Sequence, residues 1–355
     1  MKSIGETKTY KDALDRVVSE FDNISDLDAI TGKVIFIAGA TGQIGSAVLE
    51  LLNELSKRFS LDLILLAGAR DRKKYEHHFS TKVKNRVQYF EYDALKSFCP
   101  TKEIDYYICC AGYGDPNSFG SDPVGVLNSN YQGLNGILSY CAKKQHGRVL
   151  FVSSGEVYGQ PDPCQNVFSE YEVSKINPLI PRSCYPIAKI SAEALCVAYE
   201  KQYGVDVVIA RQSHVFGPGY SNKDSRVTAQ FFNDALAKRD ICMKSLGVQK
   251  RSYIFELDAA AAYVYLLLKG ISGEAYNVSS SHETSIKDLA NIIAETAEVR
   301  VVLETSQKDS QKENYGNISH SILSNSKLSA LGWKECFSPN EAINYTVKTL
   351  MESRL

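Results

Sequence analysis

Tyr185 and Lys189 stand four residues apart, and Ser154 lies 31 residues before the tyrosine. The local sequences are Ser153-Ser154-Gly155-Glu156-Val157-Tyr158-Gly159 and Cys184-Tyr185-Pro186-Ile187-Ala188-Lys189. On a helix, side chains at i and i+4 share a face. An ammonium held there favours phenolate over phenol and draws the ordinary phenol pKa of about 10 toward working pH. A serine hydroxyl at a neighbouring strand end then holds a substrate oxygen beside the phenolate. Such a set moves a proton on a secondary alcohol or ketone while a hydride moves elsewhere. Tyrosine and lysine are common on helix surfaces, so the pair alone says little; following a run that ends in Ser-Ser, it says much more.

A second cluster opens the chain's regular part. Gly39-Ala40-Thr41-Gly42-Gln43-Ile44-Gly45 follows Lys33-Val34-Ile35-Phe36-Ile37-Ala38, an apolar run suited to a parallel strand buried on both faces. After it, Val48, Leu49, Leu52 and Leu55 keep helical spacing. Glycines there let the backbone turn tightly and approach a pyrophosphate, whose charge rests on the helix N-terminus. Strand before and helix after make residues 39–45 a dinucleotide loop, with Gly39, Thr41, Gly42, Gln43, Ile44 and Gly45 as cofactor contacts.

These residues need a framework. With 355 residues the chain has length for a large α/β core and a smaller appendage. Its net charge of −1 and pI near 6.6 offer nothing to nucleic acid or an anionic membrane. No apolar stretch reaches the about 18–20 residues a bilayer span needs. The polar first residues do not read as a secretory signal. Nine scattered cysteines fit reduced thiols in a cytoplasm, and adjacent Cys109-Cys110 lacks metal-ligand spacing, so no metal is expected.

Before the first strand, Tyr10, Leu14, Val17, Val18, Phe21 and Ile24 recur at helical spacing. Residues 1–31 therefore read as a helical extension packed on the main body, with dimer contacts or site coverage as the other option. Strands are expected at 34–38, 61–67, 87–92, 106–110, 149–153 and 205–211, with helices between them that include 124–144 and 185–203. This alternation predicts a Rossmann-type, doubly wound parallel sheet over residues 32–215. After Gly217-Pro218-Gly219 the rhythm changes. A polar loop at 220–225 is followed by a helix near 227–238, a strand at 252–255, an apolar helix at 259–268, a strand-like 274–278 and helices from 285 and 339. Residues 216–355 read as a smaller substrate-binding lobe, interleaved with the first part.

Glycine loop, Ser-Ser strand end and Tyr-x-x-x-Lys in this order resemble the extended short-chain dehydrogenase/reductases, the NAD-dependent epimerase/dehydratase family, that modify nucleotide sugars. Within it, residues 153–280 resemble UDP-glucuronate decarboxylases most. The likeness rests on Ser154 to Gly159, Asn177-Pro178 with Pro181-Arg182-Ser183-Cys184-Tyr185, Asp224-Ser225-Arg226-Val227, and Lys327-Leu328 with Leu331-Gly332-Trp333. The resemblance implies that Ser154 orients the sugar O4, that Tyr185 is the base, and that Lys189 partners it and holds the cofactor ribose. It places Asp93 and Ala111 at the cofactor and His214, Arg226 and Arg251 at the substrate, with Arg251 gripping a phosphate. It also implies a homodimer built through the helices at 124–144 and 185–203. Leu134, Ile137, Leu138, Ala192, Leu195 and Tyr199 are available for that contact or for packing on the sheet.

Three departures bear on the reaction. Gly155 stands where related 4,6-dehydratases carry an acid, which removes the group that would expel water. It also replaces a serine of the decarboxylases and leaves room near C5 or C6. Glu156 remains, as a catalytic carboxylate or as a supporting one. His214 stands where asparagine is usual. Finally, the second strand runs into Arg70-Asp71 rather than an aspartate, so NAD(P) is expected with NADP favoured over NAD. The central expectation is an enzyme acting by hydride transfer at sugar C4, an epimerase or a decarboxylase-like enzyme. The alternatives are an NADPH-dependent 4-ketoreductase and a non-enzymatic cofactor sensor.

Overall fold

A computed structural model describes residues 3–161, 167–172, 175–221, 223–304 and 320–354; Asn222 of the expected polar loop lies outside them. The first half alternates as its apolar runs require. Helix α1 (Lys8–Ser19) is capped by Thr7, whose side chain accepts from Tyr10 N. Strand β1 (Val34–Ala38) leads through the glycine turn into α2 (Gln43–Arg58). Then follow β2 (Ile64–Ala69), the short helices α3 (Arg72–His78) and α4 (Thr81–Lys84), β3 (Val87–Glu91) and β4 (Tyr106–Cys109). Helices α5 (Pro116–Ser121) and α6 (Pro123–Lys144), strand β5 (Arg148–Ser154), helix α7 (Cys184–Tyr203) and strand β6 (Asp206–Gln212) complete the pattern.

The second strand begins three residues later than expected. Ser60 and Asp62 take left-handed φ values of 53° and 49°, and Leu61 O accepts from Gly32 N at 2.7 Å. That turn uses residues 60–62, so pairing with β1 starts at Ile64 and continues to Ala69. Arg70 is thereby the first residue beyond the strand.

The remainder comprises β7 (His214–Phe216), α8 (Val227–Leu236), β8 (Ile241–Met243), β9 (Lys250–Phe255), α9 (Glu256–Lys269) and β10 (Ala275–Val278). After these come β11 (Glu283–Ser285), α10 (Ile286–Ala297), β12 (Val301–Leu303), β13 (His320–Ser321), α11 (Ser326–Ser329) and α12 (Pro339–Arg354). The main sheet is wholly parallel, in the order β10-β6-β5-β4-β1-β2-β3. Strand β10 pairs with β6, so the chain returns to the main sheet after leaving it. Helix α9, buried almost throughout, packs on α2, β5 and β6. Strands β7, β11 and β13 pair with β9 in a second small sheet.

Helix α1 buries Tyr10, Ala13, Leu14, Val17 and Val18 against α2, α9 and α12, which is plain packing. Helices α6 and α7 lie side by side. Leu134, Ile137, Leu138 and Ala192 are buried with the strands and so pack on the sheet, while Leu195 and Tyr199 are only partly buried against the same core, Tyr199 bonding to Ser139 and Asn135 of α6. The large apolar side chains that α6 and α7 expose are Val124, Leu127, Tyr131, Val197 and Tyr203. Among the described residues no helix is long and apolar enough to cross a membrane.

Candidate active site

The glycine turn lies at the carboxyl end of β1, where the strand order reverses between β1 and β4. Open α/β sheets bind ligands at such a point. Gly39 has φ +82°, and a Cβ on it would lie 3.0 Å from the backbone of Ala111. A Cβ on Gly45 would fall 2.3 Å from Gly39 O. Gly42 caps α2 with no side chain, so the first N–H groups, among them those of Gln43, Ile44 and Gly45, form an anion cradle with Thr41 at its rim. This cradle fits a dinucleotide pyrophosphate. Asp93 follows β3 and holds Leu95 N at 3.0 Å. Arg70 reaches the Tyr113 hydroxyl at 3.2 Å and lies 5.6 Å from that ring, while Asp71 caps α3 by accepting from Lys74 N at 3.1 Å.

Ser154 is the last residue of β5, and Tyr185 the second of α7. The serine hydroxyl accepts from Glu156 N at 3.2 Å and lies near enough to the Tyr185 phenol to favour its ionised form. Lys189, one turn on, is buried and donates to Val152 O at 2.8 Å, with its nitrogen 5.8 Å from the Tyr185 ring. The three expected residues therefore meet.

Their electrostatics differ from expectation. The phenol hydroxyl sits in a recess closely walled by protein, and that burial pushes its pKa up to about 12 instead of drawing it down. The Glu156 charge adds to the rise; the Ser154 hydroxyl and the charges of Arg226 and Arg182 oppose it. Lys189 is committed to a carbonyl, and burial lowers its own pKa to about 8. Residue spacing places an ammonium near a phenol but carries no information about desolvation.

Glu156 is gripped by Arg182 through both oxygens, at 2.9 and 3.1 Å. The room expected at Gly155 is partly filled, since a Cβ there would lie 2.9 Å from Leu323 Cδ1. His214, at the start of β7, is exposed and meets the Tyr253 ring edge-on with centroids 5.7 Å apart. Crowding by protein, then the charges of Arg251 and Arg226, hold its pKa down to about 3, so the ring is neutral. Arg251 on β9 lies nearby, and burial lowers its pKa as well.

Arg226 differs from a side chain simply waiting for a phosphate. Its three nitrogens donate to Asp224, to Gln43 Oε1 at 2.8 Å and to Val215 O at 3.1 Å. Gln43 Nε2 in turn donates to Glu256 at 3.0 Å, and Glu256 accepts from Gly219 N at 3.0 and 3.1 Å. Burial pushes this carboxyl up to about 8.

Sequence reading did not find this bridge, nor a buried network beneath Ser154. There Glu193 accepts from Ser153 Oγ at 2.5 Å and from Arg211 at 2.8–3.2 Å, and Arg211 also meets the Tyr158 hydroxyl at 3.0 Å. One signal was available: Glu193 continues the Tyr185–Lys189 face by another four residues. Phe119 and Tyr113, which also line the site, carry no such signal.

Solved structures share the fold. A UDP-glucose 4-epimerase from Thermotoga maritima superposes with a TM-score of 0.74 at 20% identity, covering 89% of this chain and 98% of that one. The UDP-glucuronic acid 4-epimerase of Bacillus cereus, solved with UDP-glucuronic acid and NAD, gives 0.74 at 21% identity with the same coverage. Among sequences, UDP-glucuronic acid decarboxylase 1 of Xenopus tropicalis is 30% identical over 249 residues, 69% of this chain. The match spans little more than half of that relative, 56% of its length. UDP-glucuronic acid decarboxylase 3 of Arabidopsis thaliana is 27% identical over 79% of this chain and 80% of its own. Residues 35–279, which contain the glycine turn, Ser154, Tyr185, Lys189 and Arg251, match throughout, and the chain belongs to the NAD dependent epimerase/dehydratase family.

Proposed function

We propose that this chain modifies the sugar of a nucleoside-diphosphate sugar by hydride transfer at C4, with NAD(P) as cofactor. The observation that carries this reading is the meeting of Ser154, Tyr185 and Lys189 at the end of β5, beside a glycine turn shaped for a pyrophosphate. The neighbouring hydroxyls of Ser154 and Tyr185 hold the sugar O4, and Tyr185 moves its proton. A bound nicotinamide dinucleotide supplies the hydride acceptor. Arg251 contributes the cation for the diphosphate, and neutral His214 offers a hydrogen bond rather than a charge. The relatives named for UDP-sugars support the substrate class.

Epimerisation at C4 or decarboxylase-like chemistry ranks above net reduction. What supports a 4-ketoreductase is Arg70, the first residue beyond β2, whose guanidinium would attract the 2′-phosphate of NADP. We further infer a homodimer, paired through α6 and α7 by the side chains they expose, and a reducing compartment such as the cytoplasm, in keeping with eight free cysteines among the described residues.

The test is turnover of UDP-glucose and UDP-glucuronic acid with NAD or NADPH in heavy water, with products read by NMR. Inversion at C4 without deuterium at C5 is the expected result. A pentose labelled at C5 identifies decarboxylation, and an alcohol formed from a 4-keto sugar with NADPH identifies reduction. No turnover of any of these nucleotide sugars would overturn the reading.

A further inference from the structure

Four side chains from three segments form one file beside the strand end. Arg182 lies in the one-turn helix Pro181–Ser183 that leads into α7. It holds both oxygens of Glu156, which follows β5. Its guanidinium carbon is 4.6 Å from the centre of the Phe119 ring on α5. Phe119, 1% exposed, stacks on Tyr185 with centroids 4.8 Å apart and planes 16° from parallel. Tyr185 ends the file at Ser154.

A planar cation and a second ring, both packed on Phe119, restrict the tilt of the two rings. Tilt matters here, because a proton-transferring hydroxyl must stay within about 3 Å of the oxygen it serves. We infer that Arg182 is a positioning residue: it clamps Glu156 and presses Phe119 against Tyr185, so that the phenol faces Ser154 in a single orientation. The inference rests on the reading of Tyr185 as the proton-transfer group.

The same brace sets the charge around the phenol. The groups facing Tyr185 are Glu156 and Arg182, Arg226 from the start of α8, Lys189 from its own helix, and Tyr263 from α9. Glu156 and Arg182 are neutral as a pair. Without the arginine, the carboxylate stands alone and disfavours phenolate. Without the carboxylate, the arginine favours it. A purely structural contact has no reason to produce shifts of opposite sign. Both side chains are partly open to water, at 40% and 32%, so screening keeps the shifts modest.

The test is the pH dependence of kcat on whichever of UDP-glucose and UDP-glucuronic acid is turned over, in Arg182→Gln, Glu156→Gln and Arg182→Lys, with Tyr185→Phe as control. Arg182→Gln is expected to lower kcat about tenfold with KM changed less than about threefold, and to move the Tyr185-dependent midpoint up. Glu156→Gln moves that midpoint down. Arg182→Lys leaves it in place while losing part of kcat, because it restores the charge but not the planar stack. Midpoints that coincide, or that move in the same direction, overturn the proposal. Tyr185→Phe keeping more than about a tenth of the rate sinks the reading of Tyr185 itself; an inactive Tyr185→Phe with coincident midpoints sinks only the brace. A crystal structure of Arg182→Gln needs no turnover: Phe119 displaced from Tyr185 supports the brace, and both rings unmoved overturns it.

Discussion

Arg70 is the residue whose role divides the candidate reactions. It follows β2 directly and rests against Tyr113, so its guanidinium stands at the strand end where an aspartate would repel a 2′-phosphate. Arg70→Ala is expected to weaken NADP binding about tenfold or more and to leave NAD binding nearly unchanged, because only NADP offers a phosphate to pair. Calorimetry with both cofactors checks this; equal losses, or none, remove Arg70 from the cofactor site. At this scale the sequence was most legible where one element carries the spacing. Tyr185, Lys189 and the glycines could be placed because helix and turn geometry fix them. Phe119, Arg182 and Glu256 could not, since they reach the site only through the packing of separate elements. The raised pKa of Tyr185 was hidden for the same reason.

For the elements, apolar runs located the parallel strands to within a residue or two, and the exception has a physical cause. Leu61 looks like the start of β2 but is buried by a left-handed turn at Ser60 and Asp62, a conformation that composition does not signal. Similarly, residues 274–278 were legible as a strand, but their pairing with β6 depends on a long return of the chain. Helices α6 and α7 show what periodicity leaves open. Both are apolar on more than one face, so the pattern could not say which face meets the sheet. The outward face, with Val124 at 65%, Tyr131 at 40% and Val197 at 46% exposure, is where a second copy would pair. Light scattering at micromolar concentration is expected to give a dimer, and Leu127→Glu with Tyr131→Glu a monomer of unchanged melting temperature. A monomeric parent chain would refute the pairing.

The stability of the whole molecule should vary with pH in a defined sense. Burial raises Glu256 to about 8 and Asp258 and Glu50 to about 7, so the folded state holds protons that the unfolded chain releases above about pH 4. Their contribution is lost as pH rises through those values. His78 and His214 act oppositely: held down to about 4 and 3, they cost stability as pH falls below about 6.5 and the unfolded chain takes up protons. Glu341, held down to about 2 by Arg16 and Ser338, is likewise lost on the acid side. Between about pH 4.5 and 6.5 the two histidines cancel only part of what the three carboxyls lose; above it only the carboxyls remain. Stability is therefore expected to fall as pH rises above about 5, with a decline on the order of 2–3 kcal/mol between pH 6.5 and 8. Thermal melts at pH 6.5 and 8 check it, and Glu256→Gln should reduce the difference; a higher melting temperature at pH 8 would contradict the assignment.

The bridge from Gln43 through Glu256 and Arg226 constrains how this chain could be re-engineered. A dinucleotide loop is commonly treated as an exchangeable cassette, but here one of its side chains is wired into the far lobe. Replacing Gln43 during a loop graft removes one hydrogen bond from the buried Glu256 carboxyl and one from Arg226, each of which keeps its other partners, at about 0.5–1.5 kcal/mol per bond. Cofactor preference in this chain is therefore inherited as a block: a donor loop will transplant only together with its own partners for Glu256 and Arg226.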